Sequence, residues 1–324
     1  MCDAGSSDYL GLVTPDAPSG REEAVSTSLV GLSGELAGLV EANAASVVRI
    51  EGRRRSASSG VVWSADGLIV ASHHAVDAEE QVPVSLHDGR SVTAKVVGRD
   101  PGSDLVLLRA DASGLTPPRW AESVTRKPGE LVLALSRPGR STRARLGVVS
   151  AVAAEWRSPS GARFESYLET DVALHPGFSG GLLLAADGAA LGVNTAGLLR
   201  GASVAVPAAV VKRVAEALLA HGSIRRGYLG IGTQSVALTP DLRSSTGQGA
   251  ALIVLSVQPD SPAARGGLRL GDVLLRAGQD TLTHPGALVP SLDADKVGGE
   301  LRLRVLRAGE ERELVVVIGE RAAA

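Results

Sequence analysis

The segment HPGFSGG, from His175 to Gly181, sets Ser179 among the glycines Gly177, Gly180 and Gly181. A serine hydroxyl becomes a useful nucleophile when the backbone around it turns sharply and aims N–H groups at the oxyanion forming on the attacked carbonyl. Flanking glycines permit both. The string also satisfies G-x-S-x-G, a pattern shared by two unrelated hydrolase designs. In an α/β-hydrolase, an esterase for instance, the serine follows a strand, opens a helix and precedes its acid and histidine. Here LLLAADGAALGVN follows, a strand, turn and strand pattern, while the downstream His221 and His284 fall at a helix end and in a separate unit. The second design runs histidine, aspartate, serine, and the chain supplies His74, Asp104 and Ser179 in that order. Asp104 stands directly before the apolar run LVLL, where a carboxylate can be fixed against an imidazole. Taken alone, an aspartate in a turn is an ordinary solvated residue.

His74 has a neighbour, His73, in the stretch IVASHHAVDAEE. On an extended segment adjacent side chains point to opposite faces, so the pair is badly placed to clasp one metal ion. The next histidine, His87, belongs to another hairpin, and no metal or other cofactor is expected.

The elements that must carry these groups read mainly as strands. GVVWSADGLIVAS, VPVSLHDGRSVTAKVVG and GLLLAADGAALGVNT are apolar runs broken at Asp-Gly turns, and their regular spacing predicts an antiparallel β-barrel or sandwich. PAAVVKRVAEALLAHG reads as a closing helix, with Pro207 ahead of it and Gly222 as its stop. The link SIRRG then leads to a smaller unit from Tyr228 to Arg321, where strands alternate with short helical pieces. At the other end, residues 1–31 lack periodicity and read as a flexible arm. Leu32, Leu36, Leu39 and Val40 then fall on one helical face, with Ser33 as its cap.

Composition narrows the function classes. Hydrophobic residues make up 44% of the 324 and aromatics 2%, so the core is aliphatic. A net charge of −2 supplies no basic surplus for nucleic acid or an anionic membrane, and the run Arg53 to Arg55 reads as a solvated turn. Cys2 is the only cysteine, which rules out an intrachain disulfide. No secretory leader or membrane-spanning run is visible, so the chain as written reads as cytoplasmic.

Four segments, SGVVWSADGLIVASHHAVD, GRDPGSDLVLLRA, LETDVALHPGFSGGLLL and GVNTAGLLRGASVAVPAAVV, fall in the order of the signature segments of the HtrA (Deg) family of trypsin-like serine proteases. The part beginning RRGYLGIG and including PDSPAARGGLRLGDVLL resembles the PDZ domain that follows their protease domain. The resemblance spans Ala45 to Ile318. It implies a mainly β fold, a chymotrypsin-like double β-barrel over 32–222 followed by a small α+β PDZ domain over 223–324.

Residue by residue, the resemblance implies Ser179 as nucleophile, His74 as base and Asp104 as its orienting acid. Backbone N–H groups of Gly177 and Ser179 form the oxyanion hole. ASHHAV fits the family register only with His74 as the base. Substrate backbone is expected along Ala202 to Val204. The specificity pocket is expected beside Ala173 and Leu174, neither acidic, which points to cleavage after small or medium aliphatic residues. Leu229, Gly230 and Ile231 are expected to receive a peptide C-terminus as an added strand. The facing helix lies within THPGALVPSLDAD, where Pro290 disturbs it.

The sequence departs from the family at Phe178, where the family usually has Asn. It departs again at LSRPGR, in place of a Gly-Asn-Pro turn, and at RRRSAS, far shorter than the insertion some relatives carry. The implied activity is endoproteolysis of unfolded or damaged proteins by a homo-oligomer, a trimer by family analogy, in a compartment outside the cytoplasm. The alternative, motivated by Phe178, is a catalytically weak peptide-binding or chaperone-like protein.

Overall fold

The computed structural model describes residues 20–52, 57–123, 125–224 and 227–320. Helix α1, Gly20–Asn43, forms a unit by itself and ends with Asn43 Nδ2 donating to Leu39 O. It corrects the reading of residues 20–31 as arm, and of Ser33 as a cap, because the helix is already three turns old at Ser33. Leu29, Val30 and Leu32 on it are exposed. The arm's first 19 residues and the run Arg53 to Arg55 lie outside the described residues.

Six strands follow: β1 Val47–Ile50, β2 Ser58–Val62, β3 Leu68–Ser72, β4 Gln81–Ser85, β5 Ser91–Asp100 and β6 Leu105–Ala110. They close into a barrel in the order β1-β2-β3-β6-β5-β4. The Asp-Gly turns close the β2–β3 and β4–β5 hairpins as the sequence predicts. β-Branched residues suit a pleated surface, and the barrel fills with Val48, Ile50, Ile69, Val82, Val106 and Leu108.

The second barrel takes β7 Leu131–Ser136 and β8 Arg143–Ala153, a small hairpin of β9 Trp156–Arg157 and β10 Arg163–Phe164, then β11 Tyr167–Thr170, β12 Leu182–Ala185, β13 Ala190–Thr195 and β14 Ser203–Pro207. It closes in the order β11-β14-β13-β12-β7-β8, with the small hairpin outside it. Helix α2, Ala208–His221, buries Val210, Val211, Val214 and Leu218 and stops at Gly222, whose φ of 71° is cheap for glycine alone.

The last region begins with β15 Gly227–Tyr228 and β16 Ile231–Ala237, followed by α3 Pro240–Thr246, β17 Ala250–Val257, α4 Pro262–Arg265, β18 Val273–Ala277 and β19 Asp280–Thr281. It ends with β20 Glu300–Arg307, β21 Glu310–Val317 and β22 Gly319–Glu320. The main sheet runs β16-β17-β18-β20-β21, which leaves β16 at an edge. Leu252, Leu274, Leu303, Val305 and Val316 form its core. Residues Pro285–Leu292 form a 3-10 helix containing Pro290, rather than an α-helix, the disturbance that proline predicts. Arg157 of β9 joins this region to the small β9–β10 hairpin through a two-pronged ion pair with Asp293, at 2.9 and 2.8 Å.

Candidate active site

Pairing of β3 with β6 puts Ser72 opposite Leu105, so the next residue along one strand and the one before the other, His73 and Asp104, stand face to face. His73 N–H donates to the Asp104 carbonyl at 2.9 Å. His74 N–H donates to Asp104 Oδ1 at 2.9 Å, and His74 Nδ1 lies 2.7 Å from Asp104 Oδ2. Asp104 adopts φ 57°, a left-handed conformation that aspartate tolerates better than most residues and that concentrates at functional positions. The backbone bonds from both histidines hold it there.

Thr195, at the end of β13, donates its hydroxyl to the same Asp104 Oδ2 and accepts from Gly197 N–H at 2.9 Å. Burial pushes the Asp104 carboxyl up, but the bonds from His74 and Thr195 outweigh it and hold the group below the ordinary carboxylate range. The aspartate is therefore ionised beside the imidazole. An ionised carboxylate only accepts, so Nδ1 donates to it, and in the neutral tautomer this leaves Nε2 as the acceptor that faces a substrate proton.

The two histidines occupy a short 3-10 turn, His73–Ala75, not the extended segment expected. They still diverge. His73 Nδ1 faces the Arg99 guanidinium at 3.4 Å, and Arg99 also donates to the carbonyls of Val76 and Ala78, tying β5 to the turn. Burial, then Arg99, holds His73 below its ordinary value and so uncharged at neutral pH.

Ser179 lies between β11 and β12 on a loop tied down at every side. Ser59 N–H donates to Ser179 O at 3.3 Å, Gly180 N–H to Asn194 O at 2.8 Å, and Gly181 N–H to Phe178 O at 2.9 Å. Gly177 has φ 93°, and a Cβ there would meet Pro138 Cβ at 2.5 Å, so both backbone and space call for glycine. Neither the Gly177 nor the Ser179 N–H donates to any described residue, and two unspent donors flanking a serine can receive an anion.

His74, Ser179, Gly177, Leu174, His175 and Ala196 line one cleft. Among the described residues, no hydrogen bond joins Ser179 Oγ to His74; the oxygen accepts from Ala196 N–H at 3.3 Å. Such catalytic bonds are often loose without substrate and tighten in the Michaelis complex. Leu174 lines the cleft, whereas Ala173 is exposed and outside its lining.

The expected substrate stretch is narrowed. Val204 pairs with Glu169 of β11 on one side and with Thr195 of β13 on the other, and Ser203 pairs with Thr170 of β11, so Val204 has no free edge for a substrate and Ser203 is open only on the β13 side. Ala196, just beyond β13, lines the cleft, and Gly197 after it stands against His74. Thr195, Ala196 and Gly197 escaped the sequence reading because GVNTAG looks like a strand running into a turn. Ser59 escaped too.

In the last region Leu229, Gly230 and Ile231 lie at the entry to edge strand β16. Carbonyls of Leu229 and Gly230 accept from Ala263 and Gln258, at 2.9 and 2.8 Å, while their own N–H groups donate to no described residue. Leu229 is also core, as its 2% exposure shows.

Two closed barrels, with an Asp–His pair from one facing a glycine-framed serine of the other, define the trypsin-like peptidase class. Residues 58–193 match the family described as Trypsin-like peptidase domain, and residues 227–318 match the PDZ domain family. The chain belongs to the HtrA family of trypsin-like serine proteases with a C-terminal PDZ domain.

It is 35% identical over 275 residues to a Halomonas elongata protein named "Probable periplasmic serine endoprotease DegP-like", covering 82% of this chain and 57% of that protein. A Pseudomonas fulva protein of the same name is 36% identical over 279 residues, covering 83% and 57%. The chain thus spans little more than half the length of these curated relatives. Among solved structures, the HtrA-type protease AlgW with tripeptide superposes with a TM-score of 0.68 at 32% identity, covering 89% of this chain and 98% of that one. The serine endoprotease from Yersinia pestis gives 0.69 at 28%, covering 88% and 97%. The cytoplasmic reading finds no support in these relatives, whose names place them in the periplasm. Among the described residues no helix is long and apolar enough to cross a membrane.

Proposed function

We propose that this chain is a serine endopeptidase acting on unfolded or damaged proteins outside the cytoplasm, with Ser179 as nucleophile and His74 as general base. The observation that carries the reading is the ionised, buried Asp104 bonded to His74 Nδ1, across the cleft from a serine flanked by two unspent N–H donors. Substrate displaces the weak contact from Ala196, and Ser179 Oγ attacks the scissile carbonyl carbon while its proton passes to His74 Nε2. The oxyanion receives the N–H groups of Gly177 and Ser179. Collapse breaks the C–N bond, and the His74 proton leaves on the amine. Water then attacks the acyl-serine by the same route, returning the proton to Ser179. Asp104 stabilises the transient imidazolium, and Thr195 keeps Asp104 in place.

Leu174 in the cleft, with no acidic residue among the described residues that line it, supports cleavage after small or medium aliphatic residues. Free edge β16 and the unspent N–H groups of Leu229 and Gly230 support capture of C-terminal peptides by strand addition. We infer a homo-oligomer, a trimer by analogy with the family; the exposed Leu29, Val30 and Leu32 of α1 are apolar surface that a partner copy would cover. The absent His74–Ser179 bond favours a second reading, a peptide-binding protein with little turnover. Digestion of an unfolded casein decides between them. Wild type should degrade it with new C-termini mainly at aliphatic residues, and Ser179→Ala should not. An intact substrate with both proteins would select the binding reading, and cleavage mainly after Arg would refute the pocket assignment.

A further inference from the structure

The two oxyanion donors belong to different peptide units, Pro176–Gly177 and Phe178–Ser179, separated by the unit Gly177–Phe178. That middle peptide is fastened at both ends. Its N–H, on Phe178, donates to His175 O at 3.0 Å, and its carbonyl, on Gly177, accepts from the Ser59 hydroxyl at 2.7 Å. Ser59 is fully buried in β2, and its oxygen also accepts from Arg137 N–H at 2.8 Å, so the hydroxyl has one geometry in which both bonds are made. Its own N–H holds Ser179 O. One first-barrel residue therefore grips the nucleophile loop on both sides of Phe178.

The second barrel grips the loop between those points. Phe178 is 3% exposed and packs in that barrel's core, with the Arg145 guanidinium 5.5 Å from its ring centroid. An apolar ring in the core resists translation of the loop, but it forms no hydrogen bond that could set the direction of a peptide plane. The Ser59 hydroxyl supplies that direction.

We propose that Ser59 is a positioning residue of the oxyanion hole: its hydroxyl fixes the Gly177 carbonyl and so orients the donors on either side for the transition state. The assignment rests on the peptidase reading. A preorganised donor pair acts on the transition state more than on bound substrate, so losing the hydroxyl should lower kcat and leave KM alone.

The test compares wild type and Ser59→Ala, full chain, on an aliphatic peptide substrate. Two inhibitors accompany it: a peptide aldehyde, whose adduct places an oxyanion in the hole, and an uncleavable peptide with a methyleneamine in place of the scissile amide. The expected result is a fall in kcat of about ten- to a hundred-fold with KM within twofold. Aldehyde binding should weaken by the same factor, and binding of the uncleavable peptide should hold. Should the alanine variant fail to melt cooperatively, Ser59→Cys, similar in volume and a poorer donor, should show a smaller loss of the same pattern. Unchanged kcat and aldehyde binding in a folded variant, or equal losses for both inhibitors, would overturn the assignment while leaving the peptidase reading intact. A wild type that neither cleaves nor binds the aldehyde would sink both.

Discussion

Replacing Gly197 by alanine adds one methyl group beside the catalytic pair. Its Cβ would stand 2.5 Å from His74 Nδ1 and 2.9 Å from Asp104 Oδ2, whereas ordinary contact begins at 3.4 Å. Gly197 is not among the residues of positive φ, so alanine brings no backbone penalty and the effect is one of space. Asp104 is buried and held by four bonds, two of them to the backbone of the histidines, so it yields little. The imidazole is the more exposed partner and must retreat by about 1 Å, a displacement that costs roughly a hundred-fold in rate when reacting groups depend on alignment. Peptide hydrolysis by purified Gly197→Ala should show that loss in kcat, with a melting temperature close to wild type. Activity within threefold of wild type would refute the placement of Gly197 against the pair, and with it the argument that the residues just beyond β13 frame the cleft.

The hydroxyl of Thr195 can be removed without loss of volume. Thr195→Val strips a donor from a buried carboxylate and should cost about 1.5–3 kcal/mol in denaturant melts, with a tenfold or greater fall in kcat; an unchanged melt would contradict the bond to Asp104. His73 titrates below its ordinary value of 6.5 because of burial and Arg99, so the unfolded chain takes up its proton first as pH falls. Stability from this group is complete above 6.5 and is lost below it, towards the folded value. His73→Gln should therefore flatten the decline of melting temperature between pH 7 and 5 while sparing most peptidase activity, and superposable curves would refute the assignment.

How much of this was readable in the chain depends on whether an element's signal is local. Asp-Gly turns between β-branched runs announce their hairpins because turn chemistry and alternation act within a dozen residues, and Pro207 and Gly222 bracket α2 for the same reason. His74, Asp104 and Ser179 were visible as types in an order. What the sequence hides is anything made by two barrels meeting. Thr195 reads as the polar end of an apolar strand until β13 is laid beside Asp104. Ser59 reads as a small residue before GVV until its hydroxyl is found on Gly177. Val204 drops out of the expected substrate stretch because strand pairing on both its edges is a tertiary fact. Ser33 failed as a cap because the residues before it continue the helix.

The central claim, that Ser179 is a nucleophile activated by His74, is tested most directly by covalent labelling with a fluorophosphonate and mapping of the adduct by mass spectrometry. The account predicts a single adduct on the peptide carrying Ser179, lost in His74→Ala and in Ser179→Ala and kept in His73→Ala. An adduct on another serine, no adduct on the folded wild type, or labelling that survives His74→Ala but not His73→Ala would contradict it.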